Sequence, residues 1–169
     1  MIKAKELFVE ELKRSGIPYT VIRPTGFFSD MAEIFNMAVK GRVYIFGNRE
    51  NKINPIHETN VAKMCVDAID MDKEEISLGG PEIFTYTEIA ETAFEVLGKK
   101  PKIVRIPAWL AKTLTLPLRL IKKKYYVMMR FAIVAMTNDF VAPPFGTHRL
   151  KDYYIELKKR LEKKTDSSN

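Results

Sequence analysis

Residues 15–28, reading SGIPYTVIRPTGFF, narrow the choice of fold more than any other part of the chain. Tyr19-Thr20-Val21-Ile22 is aromatic and β-branched with no polar alternation, the pattern of a strand buried on both faces. Pro24 has no N–H to give a ladder and biases Arg23 away from helix, so the strand is expected to stop at Arg23-Pro24. A parallel strand of this kind needs neighbouring strands and helical crossovers, which confines the chain to the α/β class. Ligands of open α/β sheets bind beyond the carboxyl ends of the strands, so residues 23–28 are the first place to look for a site.

The rest of the sequence fits that class. Residues 1–14 read as an amphipathic helix with Ala4, Leu7, Phe8 and Leu12 on one face. Residues 30–40 form a second, with Asp30 as N-cap, Glu33 three residues on and Gly41 as stop. Residues 43–46 and 52–56 read as two strands of an edge hairpin, with Pro55 interrupting the second and 47–51 as the turn. Thr59 is expected to cap a helix with Val61, Met64, Cys65, Ala68 and Ile69 as its buried stripe. A short strand at 75–78 feeds Gly79-Gly80-Pro81-Glu82. The helix over 85–97 carries a Thr85…Glu88 capping box and a Gly98 stop. A strand at 102–106 precedes apolar helices at 109–121 and 125–137, the first kinked or split at Pro117. Thr147 is expected to open a last helix bearing Leu150, Tyr153, Leu157 and Leu161, and 167–169 form a tail. About five short strands thus alternate with six or seven helices.

Composition removes several functions. The single cysteine excludes an internal disulfide and suits a reducing cytoplasm. Cys65 is expected to be buried on its helix, and Trp109 and the Met128-Met129 pair are expected in the core. The net charge of +7 raises the question of nucleic acid. Much of the excess, however, sits in Lys122–Lys124 and in the last helix, and no zinc-finger spacing or aromatic RNA-binding signature accompanies it. A peripheral membrane contact through 114–136 and its lysines is the other partner this charge suggests. No apolar run approaches the roughly 20 residues of a spanning helix. There is no G-x-G-x-x-G turn, P-loop or G-x-S-x-G elbow, and His57-Glu58 lacks the second histidine of a zinc-protease motif, so no metal site is expected.

Four segments carry a family resemblance. Lys5…SGIPYTVIRP at 15–24 resembles the "SG-x-x-YT-x-x-RP" segment of atypical short-chain dehydrogenases/reductases, in their NmrA-like and complex-I-accessory-subunit-like branches. NPIHETNVA at 54–62 is similar to that family's "x-P-I-H-V-x-D-V-A", with Asn60 in place of the usual Asp. GGPE at 79–82 with Thr85 and Glu88-Ile89-Ala90 matches "GGPE-x-x-T-x-x-EIA". Val141-Ala142-Pro143…Gly146…Leu150 fits the closing "AP…G…L" segment. The four occur in order and cover nearly the whole chain.

The resemblance implies an α/β, partial Rossmann-like fold that lacks the N-terminal dinucleotide-binding half and ends in a helical substrate region. The chain divides accordingly into 1–28 as the last part of the Rossmann-like core, 29–164 as the substrate region and 165–169 as tail, all in one domain. The implied cofactor is NAD or NADP, bound through Pro24, Thr25, Gly26 and Phe27. Phe28 and His57 fall on the substrate side. Lys5 falls at the family's catalytic lysine, although Met1 stands where the family's tyrosine would be. The implied function is the substrate-side portion of an NAD(P)-dependent oxidoreductase, with the dinucleotide half on another stretch or a partner chain and the small-molecule substrate unspecified. A non-catalytic binding or scaffold module is the second reading.

Overall fold

The computed structural model describes residues 2–47, 51–117 and 122–166, with no side-chain detail for Ile2, Lys3, Thr165 and Asp166. Among these residues the order is α1 (Ile2–Arg14), β1 (Val21–Pro24), α2 (Phe28–Val39), β2 (Val43–Phe46), β3 (Lys52–Ile53) and α3 (Glu58–Asp67). It continues with β4 (Glu75–Leu78), β5 (Phe84–Thr85), α4 (Tyr86–Leu97), β6 (Ile103–Ile106), α5 (Ala108–Leu114), α6 (Lys123–Met136) and α7 (Leu150–Asp166). The α/β class is as expected, with helix in the majority. Parts of the expected 47–51 turn, the end of the expected 109–121 helix and the 167–169 tail fall outside the described residues.

The strands form three short pairs. β1 runs parallel to β4 with Val21 opposite Glu75 and Pro24 opposite Leu78. β2 runs parallel to β6, and β3 runs antiparallel to β5. The hairpin expected from 43–46 and 52–56 does not form, because each strand takes a partner distant in sequence. β1 also departs from expectation. It includes Arg23 and Pro24, and all four of its residues are only half-buried.

The main core lies where α2, α4 and α7 meet beside β2. Phe35, Ala38, Ile89, Ala93, Phe94, Ile133, Leu150 and Tyr154 are all fully enclosed. Tyr154 donates its hydroxyl to the Met31 carbonyl at 2.9 Å, so its one polar atom is satisfied inside this apolar layer. A second cluster of Ile56, Met64 and Leu78, with Ile22, Ile76 and Phe145 against it, binds α3 to the β1–β4 pair.

Helix ends decide several details. Thr85 and Glu88 form the expected capping box, and Gly98 closes α4 at φ 68°. α2, by contrast, starts two residues early, and Asp30 sits inside its first turn, where its carboxylate accepts from the Phe27 N–H at 3.2 Å. α3 is capped not by Thr59 but by His57, whose Nδ1 accepts from the Thr59 N–H at 3.1 Å. Of the expected stripe Met64 and Ala68 are buried and Val61 packs against the second cluster, with Asn60 buried beside them. Cys65 is exposed and Ile69 is 79% exposed. Trp109 is 69% exposed and Met128 56% exposed, so of the expected core residues Met129 alone packs inward. α5 ends before Pro117, and α7 starts three residues after Thr147.

Asn54 joins these pieces. Its side chain donates to the carbonyls of Gly80 (3.1 Å) and Ala142 (2.8 Å) and accepts from the Ala142 N–H (3.1 Å). Its own carbonyl accepts from Thr25 Oγ1 at 2.6 Å and from the Gly80 N–H at 2.8 Å. Gly79 and Gly80 are needed for this junction: a Cβ at Gly79 would fall on the Asn54 amide, and one at Gly80 on the Pro55 carbonyl. Asn54 is 1% exposed, so Asn54→Ala strands three backbone groups away from water. Urea unfolding is expected to show a loss of about 3 kcal/mol, with Asn51→Ala as a half-buried control that loses far less.

Candidate functional site

The site is built on the chain that leaves the carboxyl end of β1. Thr25 donates its N–H to the Leu78 carbonyl at 3.1 Å, continuing the β1–β4 ladder one residue past Pro24. The Gly26 carbonyl then accepts from the Ile56 N–H at 2.8 Å, and the Phe28 N–H donates to the Ile56 carbonyl at 3.1 Å. Residues 24–28 therefore lie as a fixed strap across residues 54–56. The backbone of Gly26 comes close to Ile53, whose Cδ1 would stand 3.0 Å from an added Cβ.

Behind the strap stands a group of rings. Phe28, 1% exposed, meets His57 edge-on at 5.6 Å between ring centroids and Tyr153 at 5.5 Å. His57 stacks on His148 at 4.4 Å, with the ring planes 18° apart. Each imidazole is held at Nδ1, His57 by the Thr59 amide and His148 by Asn60 Oδ1 at 2.9 Å. Because His57 Nδ1 accepts a hydrogen bond, the neutral ring carries its proton on Nε2. Two expected candidates, Phe28 and His57, thus come together, joined by His148, Tyr153 and Asn60. No sequence spacing links His57 to His148, 91 residues on. The signal that could have found Tyr153 was its place on the apolar stripe of the last helix.

The electrostatics keep the Tyr153 phenol neutral and the Glu58 carboxyl ionised. Burial raises the Tyr153 phenol above its ordinary value, and the nearby Glu58 carboxylate adds to the effect. Burial alone would raise Glu58 as well, but hydrogen bonds from Ser29 outweigh it and hold the carboxyl below its ordinary 4.5. The Ser29 N–H donates to Glu58 Oε1 at 3.0 Å, and it belongs to the first turn of α2, where negative charge is favoured. The arrangement sets half-buried His57 and Tyr153 and exposed His148 over a sealed Phe28, beside a rigid backbone strap.

Lys5 stands apart from this group. It is exposed on α1, and its neighbour Glu6 takes up Arg23 through a forked pair at 2.7 and 3.0 Å. Arg23 also reaches Glu75 at 2.8 Å, so the last charged side chain of β1 is committed to carboxylates. Among the described residues, no cluster of three or more His, Cys, Asp or Glu could hold a metal ion.

No protein-family model matches the sequence. Divinyl chlorophyllide a 8-vinyl-reductase of Zea mays, a chloroplastic protein, is 32% identical over 109 residues, covering 61% of this chain and 27% of that protein. Photosystem II assembly factor Ycf39 of Trieres chinensis is 25% identical over 177 residues, covering 94% of this chain and 56% of that protein. Among solved structures, the NADPH-dependent quinone oxidoreductase QOR2 of Escherichia coli, complexed with NADPH, shares the fold with a TM-score of 0.59 at 19% identity. That match covers 88% of this chain and 56% of the other. The chain therefore spans from about a quarter to little more than half of the proteins it matches.

The Glu58–Ser29 contact has a pH signature. A carboxyl held below its unfolded value contributes stability that is fully present above pH 4.5 and is lost as pH falls through the folded value. Urea midpoints followed down through that window should fall more steeply for the natural chain than for Glu58→Gln.

Proposed function

Because the chain is a relative of the atypical short-chain dehydrogenases/reductases, similar to their C-terminal half, we propose that it forms the substrate-side portion of an NAD(P)-binding protein of that kind. The observation that carries this reading is the strap at residues 24–28, tied to residues 54–56 and lying just beyond the paired carboxyl ends of β1 and β4. Dinucleotides sit at that edge in doubly wound sheets. Pro24, Thr25, Gly26 and Phe27 form the nicotinamide-side wall, and His57, with His148 and Tyr153, forms the substrate side over the buried Phe28. Thr25 serves this wall through its backbone position, its hydroxyl being used on the Asn54 carbonyl. The phosphates are held elsewhere, by a dinucleotide-binding half supplied by another stretch or a partner chain. The chain alone is not catalytic in this reading, and its lone cysteine suits a reducing, cytoplasm-like compartment.

One observation favours a second reading, a non-catalytic binding or scaffold module. Lys5 is exposed on α1, apart from the ring group, and a relative carries the name of an assembly factor. Calorimetric titration separates the possibilities. NAD or NADPH added to the 169-residue chain should give no saturable heat at micromolar concentrations; saturable binding would place the dinucleotide site within these residues and sink the division of labour proposed here. With a dinucleotide-binding half supplied, Phe27→Ala should weaken cofactor binding about tenfold, the scale of one lost aromatic contact. Turnover of reduced cofactor by that complex supports the oxidoreductase reading, and binding without turnover supports the scaffold.

A further inference from the structure

α6 is apolar nearly all the way round, a pattern that belongs to a fully covered helix. One face is covered: Ile133 and Met136 are buried, and Met129 and Ala132 pack against the main core. The opposite face is not. Val127, Phe131 and Val134, spaced i, i+4 and i+7, are 45%, 50% and 41% exposed, with Met128 beside them at 56%. α5 packs on α6 and brings Trp109 (69% exposed) and Leu114 (64%) to the surface. At the N-terminal end of α6, Lys122, Lys123 and Lys124 are exposed, and Lys122 Nζ lies 5.5 Å over the ring of Tyr125.

The charge around this patch has one sign. Residues 101–138 contain eight Lys or Arg and not one Asp or Glu, in a chain that elsewhere mixes both. Apolar and aromatic side chains on an exposed helix, in a stretch of sequence whose charges are all cationic, are complementary to a surface with anionic headgroups above a hydrocarbon layer. Neither competing occupant fits as well. A second copy docked face to face would bring two all-cationic patches together. Nucleic acid would meet the phosphate charge but leave Val127, Met128 and Val134 with nothing to bury against. Among the described residues no helix is long and apolar enough to cross a membrane, so any contact is one of lying on the surface.

We propose that the outward faces of α5 and α6 form a peripheral docking surface for an anionic lipid bilayer. The ring of Phe131 and the side chains of Val127, Met128 and Val134 enter the headgroup–acyl boundary, and the lysines of 122–124 stand over lipid phosphates. Trp109 and Tyr125 occupy the interface level that their amphipathic rings favour.

Flotation of the 169-residue chain with vesicles of phosphatidylcholine, or of phosphatidylcholine containing phosphatidylserine, tests this directly. Binding to the anionic vesicles is expected, with little to the neutral ones. Raising salt to about 1 M, where the screening length is about 3 Å, should remove most of it. Lys122→Ala/Lys123→Ala/Lys124→Ala should weaken partitioning roughly a hundredfold, at about fivefold per lysine near an anionic surface. Met128→Asp/Phe131→Asp should abolish it while leaving the far-UV circular dichroism and thermal midpoint near those of the natural chain, and the lysine variant keeps the test open should that pair fail to fold. Equal binding to both vesicle types, or to neither, overturns the proposal. So does a dimer in solution that Met128→Asp/Phe131→Asp dissociates, or a duplex RNA that the natural chain binds in preference to anionic vesicles and the lysine variant does not bind.

Discussion

The structure depends on one amide. Asn54 sits where three loops cross, and its side chain supplies the hydrogen bonds that Gly80 and Ala142 would otherwise draw from a ladder or from water. Buried backbone groups must be paired, and loops that enter the interior usually cannot do this for themselves. Asparagine is well suited because it offers a donor and an acceptor at one end. A carboxylate would lack the donor and a leucine would lack both. Gly79 and Gly80 complete the arrangement by leaving the space in which the amide lies. The same residue, through its main-chain carbonyl, fixes the Thr25 hydroxyl and thus the strap that defines the candidate site.

The consequence for the site is rigidity. The strap is bonded at both ends, Phe28 is sealed under His57 and Tyr153, and both imidazoles are held at Nδ1. Glu58, the nearest carboxylate, is directed to the first turn of α2 through Ser29. Such a site holds its own side chains in fixed places, whichever reading of the function holds.

Much of this was legible in residue order. Thr85…Glu88 and Gly98 act locally, through bonds within one turn, and the expected box and stop are present. The resemblance at 15–24, 54–62 and 79–82 picked out the segments that meet at the junction, though not the bond that joins them. Failures cluster where distant chain decides. The edge hairpin was lost because β2 and β3 pair with β6 and β5. The stripe of α3 is narrower than expected: Asn60 turns inward to His148 in line with Met64 and Ala68, and Cys65 and Ile69 on the far edge face out. Trp109 and Met128 look like core in any composition-based reading, and nothing local shows that their faces are left uncovered.

α1 shows what such uncovering means for motion. Its expected apolar face includes Leu7 and Phe8, yet these are 55% and 68% exposed, and the bond that ties the helix to β1 is the forked Glu6–Arg23 pair at a half-wet surface. Burial, the usual reason a helix stays put, is largely missing there. Opening of α1 therefore exposes little new apolar area and gives up mainly an interaction that water and salt can replace. The backbone amides of α1 are expected to trade protons with solvent ahead of those in the α2–α4–α7 layers.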